Sequence, residues 1–152
     1  MTSAQQVEAP VVRTVTVRRS QEHAFRIFTE RIGDWWPLQL YGIYEAEAAG
    51  VFFADGVVVE RSTSGEESVW AEVTGWDPPR RLVLAWHPAG TADQATTVAV
   101  EFSAVAADRT RVDLVHDGWE RLGEQAASAR VGYAGGWAGV IAAFAELVDG
   151  AV

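Results

Sequence analysis

The chain has 152 residues, no cysteine, and a formal net charge of −9. Every positive charge is an arginine, and clustered cations for a nucleic-acid or anionic-membrane surface are missing, so neither partner is expected. Without cysteine there are no disulfides and no thiol catalysis, which suits a cytoplasmic protein, and no apolar run approaches the length of a membrane span.

Residues 1–9 are polar and expected to be a flexible terminus, with one domain over 10–152. Val11 to Val17 is a β-branched run typical of a strand. Ser20 reads as a helix N-cap, followed by a helix with the apolar stripe Ala24, Phe25, Ile27, Phe28 and Ile32 that Gly33 is expected to end. Trp35-Trp36-Pro37 then forms an abrupt aromatic knot, and Pro37 disfavours helical continuation.

Strands are expected at 41–47, 51–54, 56–62, 67–76, 80–87, 95–105 and 109–116, joined by turns such as Asp55-Gly56, Ser64-Gly65 and Ala89-Gly90. Short turns between consecutive strands make an antiparallel meander. Alternation puts Val112, Leu114 and His116 on one face of the last strand. It also puts Val98, Val100 and Phe102 together, Leu82, Leu84 and Trp86 together, and Trp70, Glu72, Thr74 and Trp76 together.

The chain closes with one amphipathic helix over Trp119–Val148, its stripe running through Leu122, Ala126, Tyr133, Trp137, Val140 and Phe144. Arg121, Glu124, Gln125, Arg130, Glu146 and Asp149 take much of the other face. At ~1.5 Å per residue this helix crosses a small domain. Gly132, Gly135, Gly136 and Gly139 each cost roughly 1 kcal/mol against alanine. They therefore call for either a close helix-to-strand approach or a thin helix wall beside a pocket. The element order is α+β: a curved antiparallel sheet of six to seven strands, short helices after the first strand, and a long terminal helix as cover.

Several words in the sequence resemble the START-like or Bet v 1-like superfamily (SRPBCC, helix-grip fold), in the branch homologous to the activator of Hsp90 ATPase. They are Ala24-Phe25 with Phe28-Thr29, Trp35-Trp36-Pro37, Trp70-Ala71-Glu72-Val73, Trp76-Asp77-Pro78-Pro79-Arg80-Arg81-Leu82, His116-Asp117-Gly118-Trp119 and Gly136-Trp137. The resemblance runs over about 11–148, with one departure: Ala49-Gly50-Val51 stands where many relatives carry Gly-Gly-Arg. It implies a cavity between sheet and helix for an apolar or amphipathic small molecule, and it leaves the ligand open.

The residues expected to line that cavity are Phe28, Trp35, Trp36, Trp70, Trp86, Phe102, Leu114, His116, Trp119, Tyr133 and Trp137. A dry void of 300 Å3 would cost about 7 kcal/mol, so large side chains, water or a ligand must take up most of such a space.

His116, on the inward row, is either a general acid–base assisted by Tyr133 or a buried histidine bonded within the fold. His23 and His87 read as solvated or as local caps, and the histidines lack metal-ligand spacing. Glu72 and Glu101 could form buried acids with Arg61 or Arg111 as partners, or alternate out to solvent. Nucleophile elbow, dinucleotide and P-loop motifs are absent, and neither cofactor nor metal is expected.

The expected role is a binding module for an apolar or aromatic small molecule, as a monomer or a homodimer. A cyclase- or hydrolase-like enzyme using His116 and a co-chaperone role suggested by the family branch stand as alternatives.

Overall fold

The computed structural model describes residues 8–88, 90 and 92–150. Residues 1–7 of the expected flexible terminus, and Ala89 of one expected turn, lie outside the described residues. Ala9 and Pro10 are tied to the terminal helix, their carbonyls accepting from the Arg130 guanidinium.

Seven strands form one antiparallel sheet: β1 (Val11–Val17), β2 (Ala48–Ala54), β3 (Val57–Ser62), β4 (Glu67–Asp77), β5 (Arg81–Trp86), β6 (Thr96–Ala106) and β7 (Arg109–Asp117). Its order is β1-β7-β6-β5-β4-β3-β2. The meander β2 to β7 follows from short turns, while β1 crosses back to close on β7. The sheet curls around α4 (Ala126–Gly150), and α1 (Gln21–Glu30), α2 (Ile32–Trp35) and α3 (Leu38–Tyr41) stand between β1 and β2.

The inward rows of β5, β6 and β7 fall as their alternation predicts. Leu82 pairs with Val100 and Val100 with Leu114, and none of the three is exposed. Ser20 caps α1 as expected, its hydroxyl accepting from His23 N at 3.2 Å. Ser20→Ala is expected to lower stability by roughly 1 kcal/mol, read as a shift in the urea midpoint; an unchanged midpoint would show that α1 is held by packing alone.

Four expectations need correcting. First, Gly33 does not end the first helix: α1 stops at Glu30 with Arg31 as its C-cap, and Gly33 lies inside α2, where a β-carbon would come within 2.8 Å of Val51 O. Glycine is there for contact with β2.

Second, 41–47 is no strand but α3 followed by a 3-10 turn at Glu45–Glu47, because Pro37 precedes a new turn of helix with no neighbouring strand to pair with. Third, the row Trp70, Glu72, Thr74 and Trp76 is broken by two irregularities of β4, one at Trp70, which is the extra residue between Val69 and Ala71 opposite Val59 and Val58, and one between Val73 and Gly75. A bulge sends neighbours to the same side, so Trp70 and Ala71 are both buried while Glu72 faces away and Trp76 is half exposed.

Fourth, the last helix is not continuous from Trp119. Residues Trp119–Gln125 form 3-10 turns that a kink at Gly123 (φ 59°) interrupts before α4 begins. Its amphipathicity is also weak: the outward face of α4 carries Ala127, Val131, Gly135, Ala138 and Ala142 rather than mostly charge. By length and composition alone, the helical stretch Trp119–Gly150 contains a segment long and apolar enough to cross a membrane. Its inner stripe Trp137, Val140, Ile141, Phe144 and Val148 is nevertheless buried in the fold. Arg18 N donates to Asp149 Oδ1 at 2.7 Å, holding the C-terminal end of α4 to the chain just after β1.

Candidate functional site

Four tryptophans from four elements meet beneath α4. Trp36 follows α2, Trp70 sits in the β4 bulge, Trp86 ends β5 and Trp137 comes from α4. Their ring centroids are 4.9 Å apart for Trp36–Trp70, 5.8 Å for Trp70–Trp86, 5.4 Å for Trp86–Trp137 and 5.6 Å for Trp36–Trp137. Tilted and edge-to-face contacts at these distances are favourable for aromatic rings. The indoles fill the deep interior and form a floor.

Above that floor is a cleft of about 420 Å3, open on one side. Ala129, Gly132, Tyr133 and Gly136 of α4 bound it on one flank, and Tyr41, Gly42, Ile43 and Pro88 on the other. Among the described residues, no charged side chain lines it. The α4 glycines have their reason here. A β-carbon at Gly139 would lie 3.0 Å from the Tyr41 hydroxyl and one at Gly136 would lie 3.6 Å from the Tyr41 ring, whereas Gly132 borders open space. The close partner is thus Tyr41 rather than a strand, and α4 is thin beside the cleft. Gly135 meets nothing within 4 Å, and nothing in the structure explains it.

All four indole N–H groups are spent inside the protein. Trp70 Nε1 donates to Glu60 Oε1 at 2.9 Å, Trp86 Nε1 to Tyr133 Oη at 3.1 Å, Trp137 Nε1 to His116 Nδ1 at 2.8 Å, and Trp36 Nε1 to Tyr41 O at 3.4 Å. Tyr133 accepts from Trp86 and keeps its own proton to give, with burial raising its pKa above the usual phenol value.

His116 is fully buried and does not line the cleft. An indole can only donate, so Nδ1 accepts from Trp137 and the proton sits on Nε2. Nε2 then donates to Thr96 Oγ1 at 2.6 Å, and Thr96 donates onward to Trp86 O at 3.3 Å. Trp119 and Tyr133 close over the ring at centroid distances of 4.1 and 4.7 Å. Burial lowers the His116 pKa to about 3, so the ring is neutral at ordinary pH. With both nitrogens bonded inside the fold, it is a structural node with no free edge toward a ligand.

Of the residues expected to line one chamber, Trp36, Trp70, Trp86, Tyr133 and Trp137 border the cleft. Phe28, Trp35 and Phe102 pack with Phe144 in a solid cluster off the cleft, Phe28 lying 5.0, 5.6 and 5.2 Å from Trp35, Phe102 and Phe144, and Trp35 joins it to the floor through Trp36 at 5.7 Å. Leu114 and Trp119 are fully buried and do not border the cleft, Trp119 packing on His116 and Tyr133 instead. The sequence reading missed Tyr41, Gly42, Ile43, Pro88 and above all Glu60, whose alternation with Val58 on β3 was the one available signal.

His87 is not solvated: it is buried, and its Nε2 lies 2.8 Å from both Glu72 carboxylate oxygens. Glu72 takes that partner rather than Arg61 or Arg111, which pair with Glu67 and Asp113, while Glu101 meets Arg81 at 3.6 Å on the surface.

The family model described as Activator of Hsp90 ATPase homolog 1-like protein matches residues 18–149. Among solved structures, an anthrahydroquino-gamma-pyrone synthase, Txn09, complexed with SUM, is 28% identical with a TM-score of 0.62, over 93% of this chain and 98% of that one. The self-sacrificing resistance protein CalC from Micromonospora echinospora is 24% identical with a TM-score of 0.66, over 93% and 95%. The Aha1 dimer from Colwellia psychrerythraea is 14% identical with a TM-score of 0.58, over 93% and 97%. The last two likenesses show the shared helix-grip fold and no more. No curated protein matches the chain.

Proposed function

The chain belongs to the Activator of Hsp90 ATPase homolog 1-like family, and from that premise we propose that it is a binding module for a neutral, flat, mostly apolar aromatic small molecule. One observation carries this reading: a cleft of about 420 Å3 floored by four indoles whose N–H groups are already bonded within the protein. The volume lies within the ~300–1,000 Å3 range usual for small-molecule sites. With no cation in its lining among the described residues, the cleft suits a neutral ligand better than an anionic head group. The Tyr133 hydroxyl proton supplies one directional contact, suited to a ligand carbonyl. The cysteine-free composition supports a cytoplasmic setting.

Titration with the neutral fluorophore N-phenyl-1-naphthylamine tests the reading, because a ring stacked on the floor quenches tryptophan emission. Saturable quenching with a rise in Tm is expected. Linear, non-saturating quenching with an unchanged Tm, for this probe and for a panel of anthraquinones, would refute it.

A second reading, turnover of a polycyclic aromatic ligand, draws on the likeness to the synthase. In this chain it would run through Tyr133, since His116 is occupied on both nitrogens. Mass spectrometry of a bound anthraquinone before and after incubation separates the two readings: an altered product favours turnover, and an unchanged ligand favours the binding module. The co-chaperone reading rests on the family description alone.

A further inference from the structure

The flank of the cleft between α2 and β2 is tied to the sheet by one buried side chain. Glu60 on β3 has no solvent exposure, and its carboxylate accepts three hydrogen bonds. Oε1 takes Ile43 N at 2.6 Å and Trp70 Nε1 at 2.9 Å, and Oε2 takes Tyr44 N at 3.0 Å. A buried carboxylate must be met by donors, and two of these three are backbone amides of the segment that walls the cleft. Among the described hydrogen bonds, the only other one joining residues 38–44 to a side chain elsewhere is the long Trp36–Tyr41 contact at 3.4 Å.

Gly42 lets the segment come this close. A β-carbon there would stand 2.8 Å from Glu60 Oε2 and 2.5 Å from Leu38 O. On the opposite side the segment rests on α4 through Tyr41, whose ring fills the space left by Gly136 and Gly139. One edge of the wall is therefore hydrogen-bonded and the other only packed. Glu60 itself does not border the cleft.

The geometry points to residues 38–44 as the movable wall of the ligand cleft and to Glu60 as the positioning residue that latches it. Ligand retention then depends on a carboxylate that no ligand touches. This inference rests on the binding reading for its ligand half, while the latch itself concerns the unliganded protein.

Two measurements on the full chain decide it. Hydrogen exchange followed by mass spectrometry compares the wild type with Glu60→Gln, which keeps the shape but loses the charged acceptor. Hydrogen bonds to charged groups are the strong ones, so exchange over 40–46 is expected to rise by about tenfold or more, with β5 to β7 unchanged. Stopped-flow release of N-phenyl-1-naphthylamine is expected to quicken by about tenfold, since changes at one site act mostly on dissociation. Gly42→Ala, which pushes the segment off Oε2 while leaving Glu60 intact, is expected to reproduce both effects and decides the matter if Glu60→Gln fails to fold. Exchange unchanged over 40–46, or accelerated evenly across the sheet, overturns the latch. Faster local exchange with unchanged probe release overturns its control of retention. A wild type that binds no probe defeats the binding reading and with it the retention half, and the exchange result still decides the latch.

Discussion

Gly132→Trp is expected to abolish probe binding while leaving the protein at least as stable. A β-carbon at Gly132 meets no atom within 4 Å, and the residue borders the cleft. The added indole enters the mouth instead of colliding with the core. Glycine inside a helix costs roughly 1 kcal/mol against alanine and tryptophan about half that, so the helix gains a few tenths of a kcal/mol. The lost space should raise the Kd of N-phenyl-1-naphthylamine on the order of 100-fold, about 2.7 kcal/mol. Gly135→Trp is the control: it also meets nothing within 4 Å but does not border the cleft, so it should bind as the wild type does. Equal affinities for the two variants, read by the same fluorescence titration, would remove the cleft from the function.

Acid should destabilise the fold through His116. The ring is held neutral in the native state down to about pH 3, against an unfolded value of 6.5. The folded pKa is depressed, so the unfolded chain takes up the proton first. Stability is full above pH 6.5 and is lost as pH falls toward 3, at about 1.4 kcal/mol per pH unit. Between pH 7 and pH 5 the loss from this group is about 2 kcal/mol. His116→Gln keeps an acceptor for Trp137 and a donor for Thr96 but cannot titrate. The difference between wild-type and variant urea midpoints across that window isolates the histidine, because both proteins carry the same carboxylates. Parallel curves would mean that the ring is protonated in the fold or reaches water.

The same ring shows where a sequence pattern stops being informative. Alternation put His116 on the inward row with Val112 and Leu114, and there it is. Whether it could do acid–base work depended on Trp137 and Thr96, residues 21 and 20 positions away that take its two nitrogens. Glu60 is the mirror case. In sequence it is a charged residue in a valine-rich strand, and only folding brings Trp70, Ile43 and Tyr44 around it.

The tryptophans divide in the same way. Their positions on inward rows were legible, yet what surrounds them splits into a four-indole floor beneath a cleft and a solid cluster around Phe28, Trp35, Phe102 and Phe144. The β4 bulge decided this by turning Trp70 inward next to Ala71 and releasing Glu72 to His87.

By itself, then, the amino-acid order determined most of the elements, the fold class, the inward rows of β5 to β7 and the helix that covers them. These depend on period and on turn chemistry, which are properties of neighbouring residues. Tertiary structure alone decided which aromatic rings border open space, which polar atoms are already paired, and that 38–44 is a wall of the cleft. Those depend on bulges and on contacts between residues far apart in the chain, where a shift of one residue in register exchanges the two faces of a strand.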